Sequence, residues 1–133
     1  VTGMSWQNID KLCAKIGFSI PQDKDSKKMI QKSLGVLMQD GIFAYIIWLE
    51  SRGSLKSPQN NADDEATAKK IHEESYLLLK QVNLLQDNMD YTKLRDKLTE
   101  PNGILEDIHR MFLVKQLFER MLTYALYRAK SLE

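Results

Sequence analysis

The sequence has one cysteine, Cys13, and three prolines, and its longest uninterrupted apolar run, from Gly41 to Leu49, covers nine residues. A single cysteine excludes an internal disulfide framework. With no basic stretch leading into an apolar segment and cleavage site near Val1, a reducing, cytoplasmic setting is expected. Nine apolar residues are about half of the roughly 20 that cross a bilayer as a helix, so no membrane span and no membrane partner are expected. Six glycines and three prolines in 133 residues are too few for low-complexity disorder. Charge of one sign is lacking as well. Nineteen basic residues face eighteen acidic ones, leaving a net charge of +1, which excludes whole-molecule attraction to a polyanion. Only a local basic face could hold phosphate.

What is present is helical periodicity. At 133 residues, 43% of them hydrophobic, the chain can bury one core without metal or disulfide staples, and a single domain over 1–133 is expected. Ser5 precedes Trp6, Ile9, Leu12, Cys13 and Ile16, a capped amphipathic helix ending at Gly17. After Pro21, Asp25 or Ser26 can cap a second helix with the stripe Ile30, Leu34, Leu37, continued by Gly41, Tyr45 and Trp48. Gly41 then either allows close helix approach on the buried face or marks a break between two shorter helices. Gly53 to Ala62, with Pro58, is polar and predicts a surface loop. A long helix opens at Asn61 or Ala62, follows the seam Ile71, Ser75, Leu78, Val82, Leu85, and ends near Asp87. Asp90 caps a short helix carrying Tyr91, Leu94 and Leu98. A last helix, from about Ile104 to the end, is apolar nearly all round and is expected at the centre of the bundle. No strand alternation is sustained. The predicted fold is an all-α, single-domain bundle of five to six helices.

Catalytic patterns fail on their own requirements. Glu106 and His109 form one Glu-x-x-His pair, but a di-iron bundle needs two, and Lys69 precedes His72 where the second glutamate is required. His72-Glu73 begins a zinc-protease motif that Tyr76 breaks, since a histidine ligand belongs there. Neither histidine is followed by the lysine and glycine of a phosphotransfer domain. Cys13 lies on an apolar stripe, where a buried, inert thiol is the usual case. No glycine-rich phosphate loop occurs. A protein that acts by binding, not as an enzyme, and without metal or cofactor is expected.

One face carries a binding signal. Lys24, Lys28, Lys32, Gly35 and Gln39, spaced by four, four, three and four residues, share a helical face opposite the Ile30 to Trp48 stripe, and Lys27 flanks it. Aligned lysines beside a glycine suit a phosphate backbone, with Gln39 as an extra donor; the alternative is an ordinary solvated face. Arg52 and Lys56 extend this track, or Arg52 only compensates a helix dipole. A second basic group, Lys93, Arg95 and Lys97 near Arg110, is interleaved with Asp96 and Glu100. Trp48, Phe112 and Phe118 occupy apolar stripes, so no aromatic platform for stacked bases is expected, only backbone contact.

Two segments resemble the small helical subunit of the type III-B, or Cmr, CRISPR effector complex. Leu34 to Gly53, LGVLMQDGIFAYIIWLESRG, is similar to that family's apolar stretch, turn and closing helix. Asp40-Gly41-Ile42 stands at the turn where the family has Asn-Gly-Leu, Trp48 and Leu49 fill the aromatic and leucine places, and Arg52-Gly53 forms the close. The last helix, FLVKQLFERMLTYALYRAKSLE, is similar to the family's terminal helix, with Phe112, Tyr127, Arg128 and Ala129 in its characteristic places. The resemblance implies a noncatalytic subunit that stacks with copies of itself along the other effector subunits and helps hold guide RNA paired with target RNA. It supplies no RNA-contacting residues, so the candidates remain Lys24, Lys27, Lys28, Lys32, Gln39, Arg52 and Lys56. The rival is a helical adaptor that binds only protein partners, gripping a helix in an apolar groove.

Overall fold

The computed structural model describes residues 5–54, 62–86, 88–101 and 103–132. Six α-helices and no strand occur among them: α1 Trp6–Phe18, α2 Lys24–Asp40, α3 Ile42–Leu49, α4 Ala62–Gln81, α5 Leu94–Leu98 and α6 Ile108–Ser131. One buried apolar cluster draws on all six. The all-α bundle read from periodicity is the observed fold.

Ser5 caps α1 by accepting the Asn8 N–H at 3.2 Å. The helix does not stop at Gly17. That glycine is buried inside α1, at a point where an added Cβ would lie 2.5 Å from the Met121 carbonyl oxygen and 3.2 Å from the Ala125 nitrogen. Its missing side chain lets α1 lie directly on the α6 backbone. Trp6, expected on the buried stripe, stays exposed at the first turn, with Ile9, Cys13 and Ile16 carrying the burial.

The cap of α2 is Asp23, not Asp25 or Ser26: its carboxylate accepts the Ser26 N–H at 2.8 Å and the Ser26 hydroxyl at 3.0 Å. Ser26 is then buried and lies 2.9 Å from the Thr67 hydroxyl, tying α2 to α4. Gly41 is a break. Its φ of +96° and ψ of −175° end α2 and start α3, a backbone region that side chains other than glycine's disfavour. Beyond α3 the π turn Glu50–Ser54 seats Gly53 on α4, with Lys69 N 2.9 Å from where a Cβ would lie. Of the loop expected over Gly53 to Ala62, residues 55–61 lie outside the described residues.

The seam of α4 is buried as read, but the helix ends at Gln81, six residues before Asp87, where Asn83 turns the chain at φ 64°. Val82 and Leu85 reach the core from that turn. Tyr45 from α3 donates its hydroxyl to Ser75 at 2.7 Å, and Ser75 donates to the Ile71 carbonyl at 2.8 Å, so the polar members of this core are satisfied by one another. Asp90 accepts the Thr92 N–H at 3.1 Å and starts a 3₁₀ turn, Tyr91–Lys93, leading into α5.

The last helix begins at Ile108, capped by Asp107 through the His109 N–H at 2.8 Å, four residues later than Ile104. Residues 103–107 form turns in which Ile104 is buried without being helical. Nor is α6 central. It packs Val114, Leu117, Phe118, Met121, Leu122, Ala125 and Ala129 against α1 and α2, and leaves Ile108, Phe112 and Tyr127 on an open outer side. Among the described residues no helix is long and apolar enough to cross a membrane.

Candidate nucleic-acid interface

Burial of Met29, Ile30, Ser33 and Leu37 fixes the rotation of α2, and the same rotation turns Lys24, Lys28, Lys32 and Gln39 to solvent. Lys27 is half-buried at the edge. Among the described residues Lys24, Lys28 and Lys32 make no ion pair. Gly35 lies on this face with nothing within 4 Å of an added Cβ, so packing does not require a glycine there.

The structure brings the first part of the lysine row into a groove. Between the start of α2 and the end of α6 is a cleft of about 570 Å³. Lys24, Lys27, Lys28 and Gln31 form its polar wall, Ala129 and Leu132 its apolar wall, and Gln22 and Asp23 its end. Lys32 is one turn further along α2. Gln39 is roughly 22 Å from Lys24 at 1.5 Å per residue, so it serves the far end of the same face and not the groove. The Asp23 carboxyl is held below its ordinary value, first by the Ser26 N–H, and stays ionised as the helix cap. It reduces the positive field at the mouth without consuming a lysine.

Arg52 lies on a different element. In the π turn after α3, its guanidinium sits 5.4 Å from the centre of the Trp48 ring. Lys56 lies outside the described residues. Two members of the second basic group are engaged: Arg95 pairs with Glu50 at 3.4 Å and Asp96 at 3.8 Å, and Lys97 with Glu100 at 3.3 Å, while among the described residues Lys93 and Arg110 make no ion pair. Burial raises the Glu50 carboxyl and Arg95 opposes that rise, and the pair ties the π turn after α3 to α5.

The groups weighed for catalysis are apart. Cys13 is fully buried with Sγ 3.9 Å from the Leu117 carbonyl, and burial, helped by the Asp10 charge, pushes its thiol up to about 11. His72 is buried against the edge of Tyr91, ring centres 4.9 Å apart, and burial lowers it to about 4 against a smaller upward pull from Asp90. Glu106 precedes α6 in a turn, so it does not share a helical face with His109 as the spacing suggests. Among the described residues no three His, Cys, Asp or Glu side chains gather as a metal site.

Local periodicity misses the far wall of the groove. Gln31 could have been found, three residues after Lys28 on the same face. Leu132 and Ala129 could not, because they meet α2 only through the tertiary fold. The expectation about aromatics also needs correction. Phe118 is buried, but Phe112 is exposed, as are Trp6, Phe18 and Tyr127. These lie on α1 and α6, not on the lysine face. Comparison with family models, curated proteins and solved structures found no match to this chain.

Proposed function

We propose that this protein is a noncatalytic, cytoplasmic small subunit of a type III-B CRISPR effector complex. In this role it contacts the RNA backbone with the lysine face of α2, while its other faces touch effector subunits and copies of itself. One observation carries the RNA part: three exposed lysines, Lys24, Lys28 and Lys32, stand one turn apart on one helix and, among the described residues, are spent on no ion pair. A row of unpaired cations on a fixed scaffold exchanges condensed counterions for phosphates, and this is the sequence-independent part of nucleic-acid affinity. The resemblance of Leu34–Gly53 and of the terminal helix to the family supports the assignment of guide and target RNA as the ligands.

The test is RNA retention by the double variant Lys28→Glu, Lys32→Glu. Both side chains are exposed, so folding is expected to be unchanged, RNA affinity at least about tenfold weaker, and the salt dependence flatter. With three lysines on single-stranded RNA, the wild-type slope of log affinity against log salt is about −2. Unchanged retention rules out this face.

The adaptor reading has its own supporting observation. A second cleft, about 280 Å³, lies at the α2–α3 break and is lined by Gly41, Ile42, Phe43, Met111 and Phe112, with Asp40 and Lys115 at its rim. An apolar trough with charged edges suits the apolar face of a partner helix. RNA binding that is absent at low salt would favour this reading.

A further inference from the structure

The groove beside the lysine face has a direction. Its α2 wall begins at Asp23 and continues through Lys24 and Lys28, and Lys32 extends the row beyond the groove. One carboxylate therefore stands at the end of a row of cations. Successive lysines are about 6 Å apart along the helix axis, close to the step between neighbouring phosphates of an extended strand. A strand that ran past the end of this row would bring its next phosphate against Asp23, like charge against like. A strand that stops there would not.

Asp23 has the capacity to hold such an end. Its carboxyl is kept below the ordinary value, first by the Ser26 N–H, so at neutral pH it is ionised and accepts hydrogen bonds without donating any. One oxygen accepts the Ser26 N–H at 2.8 Å and the other the Ser26 hydroxyl at 3.0 Å, which leaves acceptor capacity on both, and the residue is exposed. Two oxygens with room for a further donor match the two adjacent hydroxyls at the 3′ end of an RNA strand, a group that acidic side chains hold in nucleotide sites. A 5′ end offers one hydroxyl, and an internal ribose offers only its 2′ hydroxyl between two phosphates. The opposite wall suits a base: Ala129 and Leu132 are apolar, and Leu132 is 56% exposed. At about 570 Å³ the groove falls within the roughly 300–1,000 Å³ of small-molecule sites. No aromatic ring lines it, so a base there is held by apolar contact without readout of its identity, and it is turned away from any pairing partner.

We infer that the groove between α2 and α6 holds the unpaired 3′-terminal nucleotide of an RNA strand, with its ribose hydroxyls on Asp23, its phosphate between Lys24 and Lys28, and its base against Leu132. This rests on the RNA reading of the same face and adds an end and a direction to it: the strand runs from its 3′ terminus at Asp23 toward Lys32.

Fluorescence anisotropy of the full chain at low salt tests this, with a short 5′-labelled oligouridylate that ends in a 3′ hydroxyl or in a 3′ phosphate. The wild type is expected to bind the hydroxyl end at least about tenfold more tightly, although the phosphorylated strand carries more charge for the lysines. Asp23→Asn keeps a good helix cap and is expected to retain its helical circular dichroism while this preference disappears or reverses. Leu132→Ser, at an exposed position, is expected to weaken binding of the hydroxyl end about threefold. The wild-type comparison decides the matter even if Asp23→Asn proves unstable. Equal or tighter binding of the phosphorylated strand by the wild type, a preference that survives in Asp23→Asn, or a Leu132→Ser protein that binds as the wild type does overturns the inference. If the double variant Lys28→Glu, Lys32→Glu still loses both strands in that case, the lysine face remains an RNA surface and only the assignment of the strand end falls. Binding of neither strand by the wild type overturns the RNA reading and this inference together.

Discussion

Gly17 and Gly35 are both helical glycines, yet replacing each by alanine is expected to change stability in opposite directions. At Gly35 the new methyl enters open space, with nothing within 4 Å, so only the intrinsic preference of a helix for alanine acts, about 0.5–1 kcal/mol in favour. At Gly17 the same gain is opposed by a Cβ placed 2.5 Å from the Met121 carbonyl oxygen and 3.2 Å from the Ala125 nitrogen. The obstacle is backbone, so no side chain can rotate away, and α1 and α6 must separate. Overpacking of this kind costs about 1–3 kcal/mol and here belongs at the upper end, leaving a net loss of about 2 kcal/mol after the propensity gain. Urea denaturation of the two variants beside the wild type measures both signs. In thermal melts each kcal/mol corresponds to roughly 4 °C at this chain length. A Gly17→Ala protein as stable as Gly35→Ala would refute the close α1–α6 contact and with it the placement of the groove wall that α6 supplies.

Gly41→Ala tests the break between α2 and α3. It meets no atom within 4 Å, so its expected loss of about 1–3 kcal/mol in urea titration comes from backbone strain alone at φ +96°. His72 gives the protein a pH dependence. Its folded value, about 4, lies below the ordinary 6.5, so the unfolded chain takes up the proton first. Stability is full above about pH 6.5 and declines as pH falls toward 4, by at most about 3 kcal/mol. The measurement is the urea midpoint at pH 7 and pH 5 for wild type and His72→Gln; an identical pH slope in the two would contradict the assignment. Cys13, with its thiol raised to about 11 by burial, is expected not to react with an aromatic disulfide reagent at pH 8 until urea unfolds the chain.

The parts of this fold that local chemistry decides could be read directly. Ser5 and Asp90 cap the helices they precede because a side-chain oxygen needs only the next few N–H groups, and the seam from Ile71 to Leu85 is buried because i, i+3 and i+4 positions share a face. Glycine was ambiguous for a physical reason: Gly17 looks like a helix end and is a packing position, while Gly41 fits either role until its φ is known. Ile104 looks helical because it is apolar beside a periodic run, but it is buried from a turn. The lysine row of α2 was legible as a row. Its conversion into a groove was not, because Ala129 and Leu132 come from the other end of the chain. The outward exposure of α6 was likewise hidden, since an apolar helix shows how much it wants to bury and not which neighbours it has.

The central claim is that this protein works inside an RNA-guided assembly, and affinity purification of the tagged chain from its native host tests it most directly, with mass spectrometry of the proteins and sequencing of the RNA that stays bound. Other effector subunits together with short guide RNAs of uniform length are the expected recovery. A preparation containing one unrelated protein partner and no RNA would contradict the account and leave the adaptor in its place.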